Sequence, residues 1–124
     1  ARILENQLVG VSMVTALVLS FVIYLYSHYF FASMSAHVTS MYAALITLGA
    51  AAGAPPFISA FVVAIASNIC GCLTHFGTGP APVYFGSGYV PQKTWWTIGF
   101  GVSLMHIVIW LGIGGAWWKF LGYW

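Results

Sequence analysis

Long apolar stretches alternate along this chain with short polar interruptions. The apolar stretches cover residues 7–26, 38–52, 56–73 and 94–121. The first and the last reach the roughly 20 residues with which an α-helix crosses a hydrocarbon core of about 30 Å. The two middle stretches are shorter, and Gly53, Pro55 and Pro56 separate them. The pattern predicts an all-α membrane protein.

The polar interruptions, residues 27–37 and 74–89, contain hydroxyls, glycines, prolines and histidines but no charged side chain. Non-helical backbone at membrane depth is tolerated where protein or a water-filled cavity satisfies its polar groups. Interrupted hydrophobic segments of this kind indicate a transporter's binding site. The sequence therefore predicts a re-entrant helical hairpin over about residues 7–52, a broken helix over about 56–91 and a last transmembrane helix over about 94–121. The hairpin tip is expected at residues 27–36, and the break at residues 77–82.

The composition supports a membrane location. Hydrophobic residues make up 61% of the chain and charged residues 3%, against about 25% charged residues in a soluble domain. The charged residues are Arg2, Glu5, Lys93 and Lys119. They are too few to cover a water-facing surface, and they form no basic cluster that would bind nucleic acid.

A helix that restarts after a break presents unpaired N–H groups and the positive end of its dipole to a ligand. Pro80 and Pro82 suit the first turn of such a helix, and Ser33 and Ser35 precede a helix expected to start near His37. Two facing helix termini supply roughly one positive charge, whereas a dicarboxylate carries two negative ones. The interruptions therefore predict an anion site that needs further donors, a bound cation or other parts of the protein.

Two motifs in these interruptions resemble a known family. Residues 26–33 read YSHYFFAS, and residues 73–89 read LTHFGTGPAPVYFGSGY. They resemble the second hairpin tip and the following broken helix of divalent anion/sodium symporters, and are most similar to the 2-oxoglutarate/malate translocator branch. The resemblance covers nearly the whole chain. It implies a homodimeric carrier of two inverted repeats, in which residues 1–124 form the C-terminal part of one transport domain and the end of the second repeat.

The resemblance also implies roles for individual residues. Ser33, Met34 and Ser35 stand where the symporters have a Ser-Asn-Thr substrate-binding triplet, so Ser33 and Ser35 are candidate substrate ligands. Met34 lacks the amide of the Asn, which favours anion exchange over sodium symport. The further substrate-binding candidates are Thr78, Gly79 and Pro80, and the cation-binding candidates are the Gly77 backbone carbonyl and Ser33.

The function expected from the resemblance is secondary transport of dicarboxylates such as 2-oxoglutarate, malate or succinate. It proceeds by anion exchange or by cation-coupled symport, with Na⁺ as the coupling ion and no other cofactor. The expected partners are the carboxylate anion, membrane lipid, the rest of the same chain and a second subunit. No nucleophile with a base and an orienting acid can be assembled, so no enzymatic activity is expected. A bacterial inner membrane is favoured over a plastid envelope.

Two other classes of protein stay open at this point. A membrane-anchor subunit of a redox complex could bind haem through histidines, and a small structural membrane protein is the third class. His28 and His37 are nine residues apart and share no regular helical face, and no acidic residue is placed to orient a metal-bound imidazole. Cys70 and Cys72 are expected as small apolar side chains of a helix. The sequence therefore predicts no metal site.

Overall fold

The computed structural model describes residues 12–124, and all of the regular structure in that range is helical. The expected hairpin start at Gln7 and the charged residues Arg2 and Glu5 lie outside the described residues. The α-helices, in chain order, are α1 (Met13–Ser27), α2 (Met34–Ala51), α3 (Pro56–Ile69), α4 (Ala81–Gly86), α5 (Gln92–Ile107) and α6 (Gly115–Phe120). Short 3-10 turns cover His28–Phe30 and Cys70–Cys72, and a π-helical stretch covers Val108–Gly114.

Helix boundaries in the first half follow from local chemistry. The Ser12 hydroxyl accepts a hydrogen bond from the Thr15 N–H at 3.2 Å and caps α1. The Ser33 hydroxyl accepts from the Ala36 N–H at 3.4 Å and caps α2. Such caps satisfy backbone donors that have no partner inside the helix. After α2, Gly53 adopts a positive φ of 82°, which ends the helix in a conformation that favours glycine.

The core lies among α1, α2 and α3, which pack against one another. Hydrogen bonds also join these helices: for example, the Ser20 hydroxyl donates to the Leu45 carbonyl at 3.4 Å, and the Tyr42 hydroxyl donates to the Ala60 carbonyl at 3.0 Å. The most deeply buried apolar side chains come from α1, α3 and the segment after α3: Phe21, Tyr24, Leu25, Ile58, Val63, Ala66, Cys70 and Leu73. Packing of three helices places the end of α1 and the end of α3 side by side.

The last helical stretch is continuous from Gln92 to Phe120, close to the predicted residues 94–121. It is long and apolar enough to cross a membrane, as is the stretch Met13–Phe30. Pro56–Cys72 is apolar but shorter. The sequence did not predict the π-helical stretch, which separates α5 from α6 without ending the helix.

Both interruptions are present, but their bounds differ from the predicted ones. Around the first, the chain is a 3-10 turn over His28–Phe30, and only residues 31–33 are non-helical before α2 starts. Residues 34–36, expected in the tip, form the first turn of α2. The second interruption covers residues 73–80, so Pro82 already belongs to α4. At six residues, α4 is a short half-helix.

Candidate functional site

The two interruptions lie against each other. His28, in the turn after α1, donates from Nε2 to the backbone carbonyl of Gly77 at 3.1 Å. Gly71 lies against a residue of the break and a residue at the start of α2, since a Cβ placed on it would meet the Thr78 methyl at 2.6 Å and the Met34 sulfur at 3.6 Å. Because Gly71 has no side chain, it leaves room for those of Thr78 and Met34. The tip after α1 and the break after α3 form one cluster.

The imidazole of His28 can approach the backbone at Gly77 because glycine has no side chain. A Cβ at this position would lie 2.7 Å from the Thr74 hydroxyl oxygen and nearer still to His28 Nε2. Thr74 is fully buried, and its hydroxyl has no hydrogen-bond partner among the described residues. Gly77 is thus the position at which the break admits the imidazole of His28.

A chain of hydrogen bonds continues from His28 along the tip. His28 Nδ1 lies 3.1 Å from His37 Nδ1, and His37 Nε2 lies 2.7 Å from the Ser27 hydroxyl. The Ser27 hydroxyl donates to the Tyr24 carbonyl at 2.9 Å. Stacking reinforces the arrangement, since the His37 ring lies 4.1 Å from the Tyr24 ring and 4.5 Å from the Phe31 ring. Both histidines are fully buried.

His28 and His37 share no regular helical face, as expected, and nothing in the sequence indicated that their rings would meet. The 3-10 turn and residues 31–33 nevertheless bring the two rings into contact. Cys70 differs from expectation, because it lies in a 3-10 turn at the end of α3 and its sulfur is 3.9 Å from His37 Nδ1. The only sequence signal for this cluster was a pair of histidines flanking an uncharged interruption.

The hydroxyl candidates of the tip lie at the start of α2. Ser33 is the exposed N-cap residue, and its oxygen already accepts from the Ala36 N–H. Its own O–H remains able to donate to a ligand. Ser35 is exposed in the first turn, and its backbone carbonyl accepts from the Thr39 hydroxyl.

The candidates of the break lie just before α4. The Thr78 hydroxyl accepts from the Ala81 N–H at 3.3 Å, and Thr78 can still donate its own proton. Gly79 and Pro80 are exposed, and a Cβ at Gly79 would meet nothing within 4 Å. The Gly77 carbonyl, the expected cation ligand, is buried and accepts from His28. The structure thus brings Gly77 to the tip and leaves the space beside Gly79 open.

Two residues of α5 form hydrogen bonds with the break and with the end of α1. Trp96 donates from Nε1 to His75 Nδ1 at 3.0 Å, so it binds an imidazole within the interruption 73–80. Ser103, which by sequence position lies far from both interruptions, is fully buried and its hydroxyl is 3.0 Å from the Tyr26 hydroxyl. Ser103 therefore contacts the helix end that leads into the tip.

Comparison with known proteins shows which family this chain resembles. The whole chain, residues 1–124, matches the family described as the sodium:sulfate symporter transmembrane region. It is 51% identical over 102 residues to dicarboxylate transporter 1, chloroplastic, of Arabidopsis thaliana, and 50% identical over 102 residues to the protein of that name from Spinacia oleracea. Each match covers 82% of this chain and 18% of the relative.

A bacterial relative is more distant. The inner membrane protein YbhI of Escherichia coli (strain K12) is 33% identical over 96 residues, which cover 77% of this chain and 20% of that protein. The chain thus spans about a fifth of the length of the curated relatives it matches. The match to a symporter family over the whole chain favours the carrier over the redox-anchor and structural-protein alternatives.

Proposed function

This chain belongs to the sodium:sulfate symporter transmembrane family, and from that premise we propose that it forms the C-terminal part of a carrier for small dicarboxylates. The observation that carries the proposal is the 51% identity to a chloroplast dicarboxylate transporter over 82% of the chain. Substrates of the 2-oxoglutarate, malate and succinate type fit this relationship. The carrier resides in a bacterial inner membrane or, less favoured, a plastid envelope.

The proposed substrate ligands are the free hydroxyl donors and open backbone at the two interruptions. Ser33 and Thr78 each accept a backbone hydrogen bond and keep an O–H to donate. Ser35 contributes through the first turn of α2, while Gly79 and Pro80 allow a carboxylate to approach the backbone. Residues 12–124 contain no Asp or Glu, so no carboxylate in this part of the chain repels the anion.

The electrostatics of the site still require a contribution from elsewhere. The N-terminus of α2, an 18-residue helix, supplies roughly half a positive charge. The half-helix α4, at six residues, adds less. A dianion therefore needs further positive groups, and we place these in the part of the carrier outside this chain, within a homodimer of inverted repeats. This charge deficit agrees with a segment that covers about a fifth of its relatives.

Anion exchange is the transport mode we favour. Met34 offers no amide to a carboxylate, and one lone pair of the Gly77 carbonyl is already taken by the imidazole of His28. Sodium coordination by the Gly77 carbonyl and Ser33 is the alternative mode, which would use the other lone pair. In either mode the tip and the following helix act as the re-entrant hairpin of the second repeat.

Counterflow in proteoliposomes tests the proposal. The full-length protein that contains this segment is reconstituted with malate inside, and labelled 2-oxoglutarate is added outside. Uptake that depends on internal malate and not on Na⁺ is the expected result, whereas uptake only under a Na⁺ gradient would establish the sodium mode. Absence of uptake for every C4 and C5 dicarboxylate, under both conditions, would overturn the proposed function.

A further inference from the structure

Three buried side chains with metal-binding atoms converge beside the anion site. His28 comes from the turn after α1, His37 from the start of α2, and Cys70 from the 3-10 turn after α3. All three are fully buried, and one donor atom from each lies within 4.8 Å of the others. None of the three is among the proposed substrate ligands.

The outer hydrogen bonds fix one tautomer of His28 and allow two of His37. The Gly77 carbonyl can only accept, so His28 carries a proton on Nε2. If the Ser27 hydroxyl donates to His37 Nε2, His37 is protonated on Nδ1 and donates to His28 Nδ1. If the Ser27 hydroxyl donates to the Tyr24 carbonyl alone, it accepts from His37 Nε2, and both neutral imidazoles have an unprotonated Nδ1. The second arrangement is the one that can bind a metal.

In that arrangement two unprotonated Nδ1 atoms lie 3.1 Å apart. Their lone pairs repel each other unless both are bound to a cation. Metal-bound histidines show this same pattern, in which the far ring nitrogen donates to a carbonyl or another acceptor and fixes the tautomer. The hydrogen bonds of His28 and His37 thus orient both rings as metal ligands.

The separations fit one ion. With metal–nitrogen bonds of about 2.0–2.1 Å and metal–sulfur bonds of about 2.3 Å, ligand atoms of a tetrahedral or trigonal site lie about 3.3–3.8 Å apart. The Nδ1 atoms are 3.1 Å apart, and the Cys70 sulfur is 3.9 Å from His37 Nδ1. The donor atoms of the third pair, His28 and Cys70, lie within 4.8 Å, so this pair closes by up to about 1 Å when all three donors bind one ion. Met34 adds a thioether 3.8 Å from the Cys70 sulfur.

We propose that His28, His37 and Cys70 form a binding site for a monovalent soft metal ion, Cu(I), with Met34 as an additional weak ligand. Thiolate and thioether ligands select Cu(I) over hard cations. Charge points the same way, because Cu(I) and one thiolate sum to zero, whereas Zn²⁺ would leave a net positive charge in a buried site. An uncompensated buried charge is costly, and residues 12–124 hold no carboxylate to offset it. Binding releases the thiol proton of Cys70.

An ion at this position joins the tip to the end of α3. It would hold His28 and His37 against Cys70, next to Thr78 and Gly71. The anion site and the metal site share the Gly77–His28 contact, so metal binding is expected to slow transport by restraining both interruptions. This metal site does not depend on the identity of the transported anion.

The chain offers a matched control for the test. Cys72 is a second thiol two residues away, partly buried, whose sulfur is 3.8 Å from the Gly99 carbonyl. The purified full-length protein and its Cys70→Ser, His37→Gln and Cys72→Ser variants are titrated with Cu(I) against a chromophoric Cu(I) chelator under reducing conditions. Each variant is first checked for monodispersity by size-exclusion chromatography.

We expect the wild type and Cys72→Ser to retain one more copper ion per chain than Cys70→Ser and His37→Gln. X-ray absorption on the copper-loaded wild type needs no variant and should show imidazole and thiolate ligands on one ion. Equal retention by wild type and Cys70→Ser, tighter retention of Zn²⁺ than of Cu(I), or no uptake by the wild type overturns the proposal. The last outcome makes the Nδ1–Nδ1 contact an ordinary hydrogen bond, and it leaves the transport assay unaffected.

Discussion

His28 and Gly77, 49 positions apart in the chain, are joined by a hydrogen bond of 3.1 Å from the imidazole Nε2 to the backbone carbonyl. This bond connects the tip after α1 with the break after α3. It is buried, and the absence of a side chain at Gly77 makes it possible. A single imidazole thus joins the two interruptions by a direct hydrogen bond.

Removing that imidazole tests the connection. His28→Ala leaves the buried Gly77 carbonyl without its donor, at a cost of about 1–3 kcal/mol for an unsatisfied group. We expect a lower unfolding temperature in detergent and impaired dicarboxylate exchange. His75→Ala is the comparison, since His75 is only partly buried and binds Trp96 instead. A His28→Ala protein as stable and active as the wild type would contradict a structural role for this bond.

The hydroxyl of Tyr26 joins the end of α1 to the last helical stretch through Ser103, at 3.0 Å. Tyr26→Phe and Ser103→Ala each remove one partner, and the double variant completes a thermodynamic cycle. We expect the double variant to lose less stability than the sum of the two single losses, with a coupling of about 0.5–1.5 kcal/mol, typical of a hydrogen bond. Additive effects on the unfolding temperature would show that the two hydroxyls do not interact.

The sequence was sufficient to predict which parts of the chain are helical. Apolar length determined the stretch Gln92–Phe120 to within two residues at its start, and Gly53 and Pro56 marked the boundary between α2 and α3. These features are local, because chain length, backbone conformation and missing N–H donors do not depend on distant residues. The positions of both interruptions follow from the same local chemistry.

Contacts between distant residues were beyond the sequence. The approach of His28 to His37 depends on how residues 28–33 leave helical geometry, and the burial of Ser103 depends on how α5 packs. The stretch Val108–Gly114 contains no proline that would indicate its π-helical geometry. Of the candidate site, the exposed hydroxyls and glycines could be listed in advance, whereas the buried imidazole–thiol cluster required the fold.

Thr78 is the substrate ligand whose loss should matter most. Thr78→Val keeps the shape of the side chain and removes its hydroxyl, which otherwise caps Ala81 and can donate to a carboxylate. Loss of a donor to a charged acceptor costs about 1–3 kcal/mol, which corresponds to an affinity weaker by about 5- to 150-fold. The measurement is the half-saturating concentration of dicarboxylate in counterflow.

The control for Thr78 is Thr47→Val. Thr47 is exposed on α2, and its hydroxyl donates only to the Ala44 carbonyl within the same helix. The same chemical change there should leave the half-saturating concentration nearly unchanged. If Thr47→Val weakens substrate binding as much as Thr78→Val does, the loss is a general effect of removing a threonine hydroxyl, and Thr78 is not a substrate ligand.

Close packing of α5 against the 3-10 turn Cys70–Cys72 depends on Gly99. A Cβ at this position would overlap the Cys72 carbonyl oxygen and lie 3.2 Å from the Leu73 Cα, so the obstruction is backbone and cannot rotate away. Gly101, two residues further along the same helix, would place its Cβ in open space. Gly99→Ala should therefore push α5 away from the segment that leads into the break, with a lower unfolding temperature and reduced exchange. Gly101→Ala gains helix propensity and should be neutral or slightly stabilising in the same assays. Equal behaviour of the two variants would mean that α5 does not pack against this turn in the assembled carrier.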